Sequence, residues 1–215
     1  MSKIKLPHAS GNSMSIGAPA TNPASDLELK LPATIGTAGQ YLTVDGSGNL
    51  TWADPPGITE MDQWRLTTNV TVSASGGFLT SDWERNDTNF SKIGTGMTES
   101  SGVFTFPSTG IWQVHFNGVS SDTDANRYSG IEVHLSTNGG GSFVAIHESW
   151  QAIPDQSSET VYGSFNANTI IDVTNVTGGS DFQVKFFANG HNEILLNGST
   201  TVLRTNVTFT RLGAT

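Results

Sequence analysis

The sequence predicts an all-β protein in which a β-sandwich or jelly roll follows an extended, proline-rich β segment. Only 13% of the 215 residues are charged, whereas Gly, Ser, Thr and Asn are abundant, which favours strands and turns over exposed amphipathic helices. After residue 57, short runs that alternate apolar and polar residues follow one another, with Gly, Asn and Ser turns between them. Six of the eight prolines precede residue 57, where the apolar groups are too short to build a core alone.

The net charge and the lack of cysteine limit the partners that we expect. The chain has 10 basic and 19 acidic residues, a formal net charge of -9, so a phosphate backbone would be repelled and nucleic acid is not an expected partner. Without cysteine, durability must come from packing or oligomerisation rather than from disulfides. No apolar run is long enough for a membrane span or a signal peptide, so we expect neither membrane insertion nor classical secretion.

The first 56 residues contain two strand signals. Leu27, Leu29 and Leu31 alternate as one face of a short strand. Further on, two apolar runs flank a Gly-rich turn that contains Asp45-Gly46, which predicts a β-hairpin. A lone hairpin is marginal in water, so its apolar side chains need copies from neighbouring subunits to be buried. The residues assigned to this contact between subunits are Tyr41, Leu42, Leu50 and Trp52.

The stretch from about Ser15 to Trp52 resembles a stalk motif found in many fibre and virion proteins of tailed bacteriophages. The motif runs Leu-Pro, then Gly-x-x-Gly-Gln-x-Leu, then Asp-Gly-x-Gly-x-Leu-x-Trp, and this sequence matches it throughout. The resemblance implies a trimerising β stalk over residues 17–57 on a protein at the virion surface, outside the cell. It also implies partners among the capsid or tail proteins of the virion.

The N-terminal end of the chain, residues 1–16, is expected to dock on the virion. Its apolar residues are isolated from one another, and such a segment gains order mainly by binding to a preformed surface. The residues assigned to docking are Ile4, Leu6, Met14 and Ile16.

Residues 58–215 form the predicted head, with ten candidate strands, a number typical of a sandwich or jelly roll. These are residues 63–73, 78–83, 103–106, 110–120, 128–137, 142–147, 159–171, 181–188, 192–196 and 201–211. On both sides of a turn from Pro107 to Gly110, alternation places large apolar side chains on one inward face. The core residues predicted there are Phe104, Phe106, Trp112, Val114 and Phe116.

The same segment resembles the jelly roll of complement globular heads and tumour necrosis factor (TNF), whose middle reads Gly-x-Phe-x-x-Pro-x-x-Gly-x-aromatic. The matching residues are Gly102, Phe104, Pro107, Gly110 and Trp112. The last strand, with Val207 and Phe209, also resembles the family's closing strand, which ends inside the fold. The likeness covers roughly Gln63 to Leu212 and implies a homotrimer.

Motifs for catalysis and cofactor binding are missing from the sequence. The histidines lack His-Glu-x-x-His spacing, and neither a Gly-x-Ser-x-Gly elbow nor a phosphate loop occurs. We therefore predict no enzyme activity, no catalytic residues, no cofactor and no metal site. One cluster leaves an alternative open: Asp122, Asp124 and Asn126 alternate as calcium ligands do. Arg127 stands where a calcium loop needs Gly and Val133 where it needs the bidentate Glu, so a polar loop joining two strands is the favoured interpretation.

Receptor-binding residues are not identified by the sequence. Exposed aromatic side chains can stack on sugar rings, and five were considered: Trp64, Trp83, Tyr128, Trp150 and Tyr162. For each of them alone, burial in the core is the favoured interpretation. The segment from Trp150 to Glu159 is predicted as the longest irregular piece of the head, so it is a candidate for contact with a host glycan or protein.

These observations favour a non-enzymatic virion protein, a trimeric fibre or appendage that presents a jelly-roll head for attachment to the host surface. A capsid decoration or cement protein would have the same sequence signature. A polysaccharide-degrading tail enzyme and a secreted complement-like module are the alternatives from other classes.

Overall fold

The computed structural model is all-β, as the sequence predicts. It describes residues 3–7, 10–11, 13–17, 19–21, 23–55, 57–123, 126–154 and 159–215. These residues contain eighteen strands and no helix. Within them no helix is long and apolar enough to cross a membrane. The chain divides into two compact units, Met1–Gly57 and Ile58–Thr215, which are described separately below.

The N-terminal unit consists of two antiparallel hairpins. Its strands are β1 (Lys3–Pro7), β2 (Ser13–Gly17), β3 (Tyr41–Val44) and β4 (Leu50–Ala53). β1 pairs with β2 and β3 pairs with β4. Residues 27–31 do not form the predicted strand: only Lys30 bridges to the β3–β4 hairpin, where its amide donates to the Gly48 carbonyl over 2.8 Å.

The turn between β3 and β4 is held by one carboxylate. Asp45 Oδ1 accepts hydrogen bonds from the amides of Ser47 (2.8 Å) and Asn49 (3.1 Å), and Oδ2 accepts one from Asn49 Nδ2 (2.7 Å). These bonds favour the ionised form, so they lower the pKa of Asp45, with the Asn49 side chain contributing most. Gly46 and Gly48 have φ angles of 78° and 84°, which glycine adopts without steric cost.

The head is a sandwich of two antiparallel sheets. Its strands are β5 (Met61–Leu66), β6 (Val70–Val72), β7 (Gly77–Phe78), β8 (Trp83–Arg85), β9 (Lys92–Ile93), β10 (Thr98–Ser100), β11 (Val103–Thr105), β12 (Gly110–Asp122), β13 (Asn126–Ser136), β14 (Val144–Ile153), β15 (Val161–Val173), β16 (Gln183–Gly190), β17 (Ile194–Leu196) and β18 (Asn206–Gly213).

One sheet, called the β16 sheet, has the order β10-β11-β16-β13-β14, with β7 added along β16. The other, called the β12 sheet, has the order β6-β17-β12-β18-β5-β8, with β15 paired along β12 and β9 along β5. The last strand, β18, therefore lies inside its sheet between β5 and β12, as the resemblance implied. Apart from the hairpin pairs β10–β11 and β13–β14, most neighbouring strands are not consecutive in sequence: β18 pairs with both β5 and β12, and β16 pairs with both β11 and β13, as in a jelly roll.

Strict alternation explains why these strands form a sandwich. In β12 the odd positions Gln113 and His115 face outward, whereas Trp112, Val114 and Phe116 face the other sheet and are fully buried. Phe104 and Phe106 of the preceding segment are buried opposite them. The indole of Trp112 donates a hydrogen bond to the Ser108 carbonyl over 3.0 Å, so its one polar group is satisfied in the core.

Several predicted strands differ from the observed ones, and for three of them the physical cause is clear. The strand predicted over 63–73 is two strands, β5 and β6, because the amide of Thr67 turns away to bond the Asp82 carbonyl. Residues 78–83 form no continuous strand: the Leu79 amide bonds to Phe186, and Asp82 has a φ of 64°. β14 continues to Ile153 instead of ending at His147, because a bulge absorbs the irregularity and pairing with β13 resumes beyond it.

Replacing Trp112 by Ala should lower the free energy of unfolding by about 3–5 kcal/mol, because it deletes a fully buried aromatic side chain. His115→Ala on the outward side of the same strand is the control, with an expected change within about 0.5 kcal/mol. Urea denaturation at equal protein concentration measures both. Equal losses in the two variants would show that the inward face of β12 is assigned wrongly.

Candidate functional site

The N-terminal unit exposes a series of apolar side chains. Those exposed are Ile4, Ile16, Leu27, Leu29, Leu31, Ile35, Tyr41, Leu42 and Val44. Of the residues assigned to the contact between subunits, Tyr41 and Leu42 belong to this exposed set, whereas Leu50 and Trp52 are half-buried. The indole of Trp52 donates to the Thr34 carbonyl over 2.9 Å and rests on Gly36, where any side chain would collide with it. Trp52 is thus partly covered by its own chain.

The four residues assigned to virion docking meet on one hairpin. Ile4 pairs in register with Ile16, and Leu6 pairs with Met14, across β1 and β2. Alternate positions of a strand share a face, so the four positions fall on the same side of this hairpin. These residues look isolated along the sequence, because only the pairing of β1 with β2 brings them together. Ile4 and Ile16 are exposed, and the side chains of Leu6 and Met14 lie outside the described part of the structure.

The possible calcium cluster is only partly described. Asp122 is the last residue of β12, but Asp124 and the side chain of Asn126 lie outside the described residues. Among the side chains that the structure does describe, no group of three or more His, Asp or Glu is arranged to hold a metal ion.

The five aromatic residues considered for sugar stacking separate into two groups. Trp64 is buried and Trp83 packs against the core, as expected. The expectation of burial is wrong for Tyr128, Trp150 and Tyr162, whose residues are 43%, 40% and 67% exposed. Tyr128 and Trp150 lie on the outward side of the β16 sheet, and Tyr162 lies on β15, which pairs along β12 in the other sheet.

Trp150 also lies in a strand rather than in the irregular segment predicted for residues 150–159. It lies on β14, paired in register with Gly130 of β13, so the sheet fixes the position from which its side chain projects. Residues 155–158 of that predicted segment lie outside the described residues.

The outward side of the β16 sheet gathers the exposed aromatic residues of β13 and β14 with several others. We call this surface the aromatic face; it comprises Phe78, Tyr128, Gly130, Glu132, His134, Phe143, Glu148, Trp150, Lys185, Phe187 and Asn189. Strands β7, β13, β14 and β16 bring these residues together, with Phe143 from the segment just before β14. Glu132 on β13 stands between Glu148 on β14 and Phe187 on β16, and Gly130 stands between Trp150 and Asn189.

One half of the aromatic face surrounds an ammonium group. Lys185 Nζ lies 3.7 Å from the ring centre of Phe78 and 4.1 Å from that of Phe143. Phe78 also packs edge-on against Phe187 at 5.0 Å and against His134 at 5.1 Å. Burial among these rings lowers the pKa of Lys185, because it removes water from the charged form. The cluster requires β7, β13 and β16 together, so spacing along the chain does not reveal it.

The other half of the aromatic face is built on Trp150. Its six-membered ring covers Gly130, where a Cβ atom would lie only 2.7 Å from Cε3 of the indole. The indole Nε1 donates to Glu148 Oε2 over 3.2 Å, and Tyr128 packs edge-on at 5.5 Å with an interplanar angle of 82°. His134 Nε2 and Glu132 Oε2 are hydrogen-bonded at 2.8 Å beside them. The result is a fixed aromatic surface bordered by two carboxylates.

Two solved structures share the fold of this chain. The Eiger TNF from S. frugiperda matches with a TM-score of 0.53 at 10% identity, over 74% of this chain and 96% of that one. Murine APRIL at pH 5.0 matches with a TM-score of 0.51 at 12% identity, over 71% of this chain and 98% of that one. No protein-family model and no curated protein matches the sequence. At these identities the likeness establishes the fold alone, and it confirms the predicted TNF-like jelly roll.

The environment of Lys185 predicts its titration. Its pKa should lie below the ordinary value of 10.5 in an NMR titration of the lysine side chains, because burial disfavours the ammonium form. Phe143→Ala admits water on one side and should therefore raise the pKa back toward 10.5. A fall on that substitution would show instead that attraction of the ammonium to the ring outweighs burial.

Proposed function

We propose that this chain is a non-enzymatic structural protein of a tailed-bacteriophage virion, a homotrimeric fibre or appendage. Its N-terminal residues attach it to other virion proteins, and its jelly-roll head faces outward at the virion surface to meet the host. The observation that carries this proposal is the exposed apolar series of the N-terminal unit, in a segment whose sequence resembles the phage stalk motif.

Self-association follows from the energetics of that unit. A two-stranded hairpin cannot bury its own apolar residues, and each large aliphatic side chain that becomes buried contributes about 1.5–3 kcal/mol. Leu27, Leu29 and Leu31 are strongly exposed, and among the described residues this segment pairs with the β3–β4 hairpin only through the bridge at Lys30. Copies of the same segment offer matching apolar surfaces, and the stalk motif and the TNF-like head both favour three copies.

The two ends of the protein have different tasks in this proposal. The β1–β2 hairpin presents Ile4 and Ile16 as apolar contacts for a virion protein. The head contains its own aromatic core, so it remains folded when it is displayed in solvent. Its aromatic face offers the host a rigid surface, because most of its side chains lie on paired strands.

Light scattering should give a mass of about three times the 22.8 kDa chain. The double variant Leu27→Ser/Leu29→Ser should weaken the trimer, because it removes apolar side chains from the proposed contact. The matched control is Glu28→Ser/Lys30→Ser, which changes the exposed, alternating neighbours and should leave the mass unchanged. A stable wild-type monomer at micromolar concentration would contradict the trimer.

Deleting Met1 to Asn22 should leave a folded trimer that no longer enters virions, because the proposed docking hairpin is gone. Deleting the head should spare incorporation and impair only contacts with the host. Quantitative immunoblotting of purified particles measures the copy number of each variant. Incorporation of the N-terminal truncation at the normal copy number would place the anchor elsewhere in the chain.

A further inference from the structure

We propose that the part of the aromatic face around Trp150 is a binding site for a neutral pyranose sugar of the host surface. The pyranose ring stacks on the exposed side of the indole, and its hydroxyl groups bind to the polar side chains that border the ring. This inference rests on the proposed function, since it names the ligand of the outward-facing head.

The indole is fixed before any ligand arrives. Its inner side rests on the bare backbone of Gly130, its Nε1 is bonded to Glu148, and the edge of its ring system meets Tyr128. Yet 40% of the residue remains exposed. An aromatic ring held in this way loses little conformational entropy on binding, and its electron-rich face attracts the polarised C–H groups of a sugar ring.

Hydrogen-bonding groups surround the ring on the same side of the sheet. Glu132 and Glu148 are directly opposite each other on β13 and β14, and each carries a carboxylate that accepts hydrogen bonds. On the other side of Gly130, Asn189 offers an amide that both donates and accepts. This amide makes no hydrogen bond to another residue in the described part of the chain. Asn189 and Trp150 are separated by two strand spacings, about 10 Å.

The polar residues that border the Trp150 ring favour a sugar over an apolar protein partner. An apolar surface that covered the Trp150 ring would also cover Glu132 and Glu148, and burying carboxylates without new hydrogen-bond donors is unfavourable. Sugar hydroxyl groups supply such donors. The indole N–H is already bonded to Glu148, so the ring contributes stacking and the neighbouring residues contribute the hydrogen bonds.

Charge selects against acidic sugars. The two carboxylates lie at the border of the ring, and the whole chain has a formal net charge of -9. A sialic or uronic acid would bring a third carboxylate into this region, where like charges repel. The ammonium group of Lys185 lies between Phe78 and Phe143 in the other half of the face. A neutral hexopyranose or its N-acetylated form therefore fits the site best.

The test uses the full-length protein and an array of neutral and acidic oligosaccharides, followed by calorimetric titration of the neutral members that bind. Trp150→Phe keeps a flat ring, whereas Trp150→Leu keeps apolar bulk and loses the ring. We expect Trp150→Leu to weaken binding by about tenfold or more and Trp150→Phe by about threefold, since stacking depends on the ring. Tyr162→Leu, an exposed position on the other sheet, is the control and should leave the dissociation constant unchanged.

Melting curves and light scattering establish that each variant is folded and has the wild-type mass. Each of three results would overturn the proposed sugar site. These are binding of acidic sugars alone, equal binding by Trp150→Leu and wild type, and no binding to any neutral sugar of the array. Loss of host adsorption by Trp150→Leu without any sugar binding would identify a protein partner and would also overturn it. Incorporation of Trp150→Leu into particles tests the proposed function separately, because the docking hairpin is unchanged.

Discussion

The contact between the two sheets through Phe104 is the interaction on which the rest of the head depends. From β11 in the β16 sheet, its ring meets Trp64, Trp83 and Phe209, which belong to the β12 sheet, at 5.2–5.5 Å between ring centres. It also meets Phe186 in its own sheet at 5.8 Å. Edge-on and tilted aromatic contacts of this kind add about 0.5–1.5 kcal/mol each to the burial of apolar area. They bind strands that are far apart in sequence into one sandwich.

The charged side chains at the margin of this aromatic core are buried and therefore need polar partners. Asp62 is fully buried beside it and accepts hydrogen bonds from Trp64 Nε1, from the Met97 amide and from two nitrogens of Arg85. Arg65, on the opposite side of β5, is also buried. Its guanidinium group donates hydrogen bonds to the side chains of Glu84, Asp87, Asn86 and Thr88. Each charge is paired because an unpaired charge in such a position is strongly destabilising. These networks attach residues 82–97 to the first strand of the head.

The rigid core also explains how the outward surfaces can carry function. Because the inward side chains of β13 and β16 are buried in the sandwich and β14 is paired to β13, the outward side chains of these strands are held at the spacing of the pairing register. The register of these strands therefore places the residues of the aromatic face side by side. The N-terminal unit shows the opposite situation, since most large apolar side chains that the structure describes there are exposed, which favours assembly with other chains.

The sequence by itself determined the fold class and the inward residues of β12, because period-two alternation and local turn residues act between neighbours along the chain. The position of the last strand inside the fold came from the resemblance to the TNF-like jelly roll, not from alternation. Strand ends were less predictable: whether β14 ends at His147 or continues to Ile153 depends on its pairing with β13. Only the tertiary structure decided which aromatic residues meet solvent. Trp64 and Trp150 look alike in sequence, yet Trp64 faces the opposite sheet and Trp150 covers Gly130 on the outside. The difference arises from contacts between strands that are distant in sequence, and no local pattern encodes them.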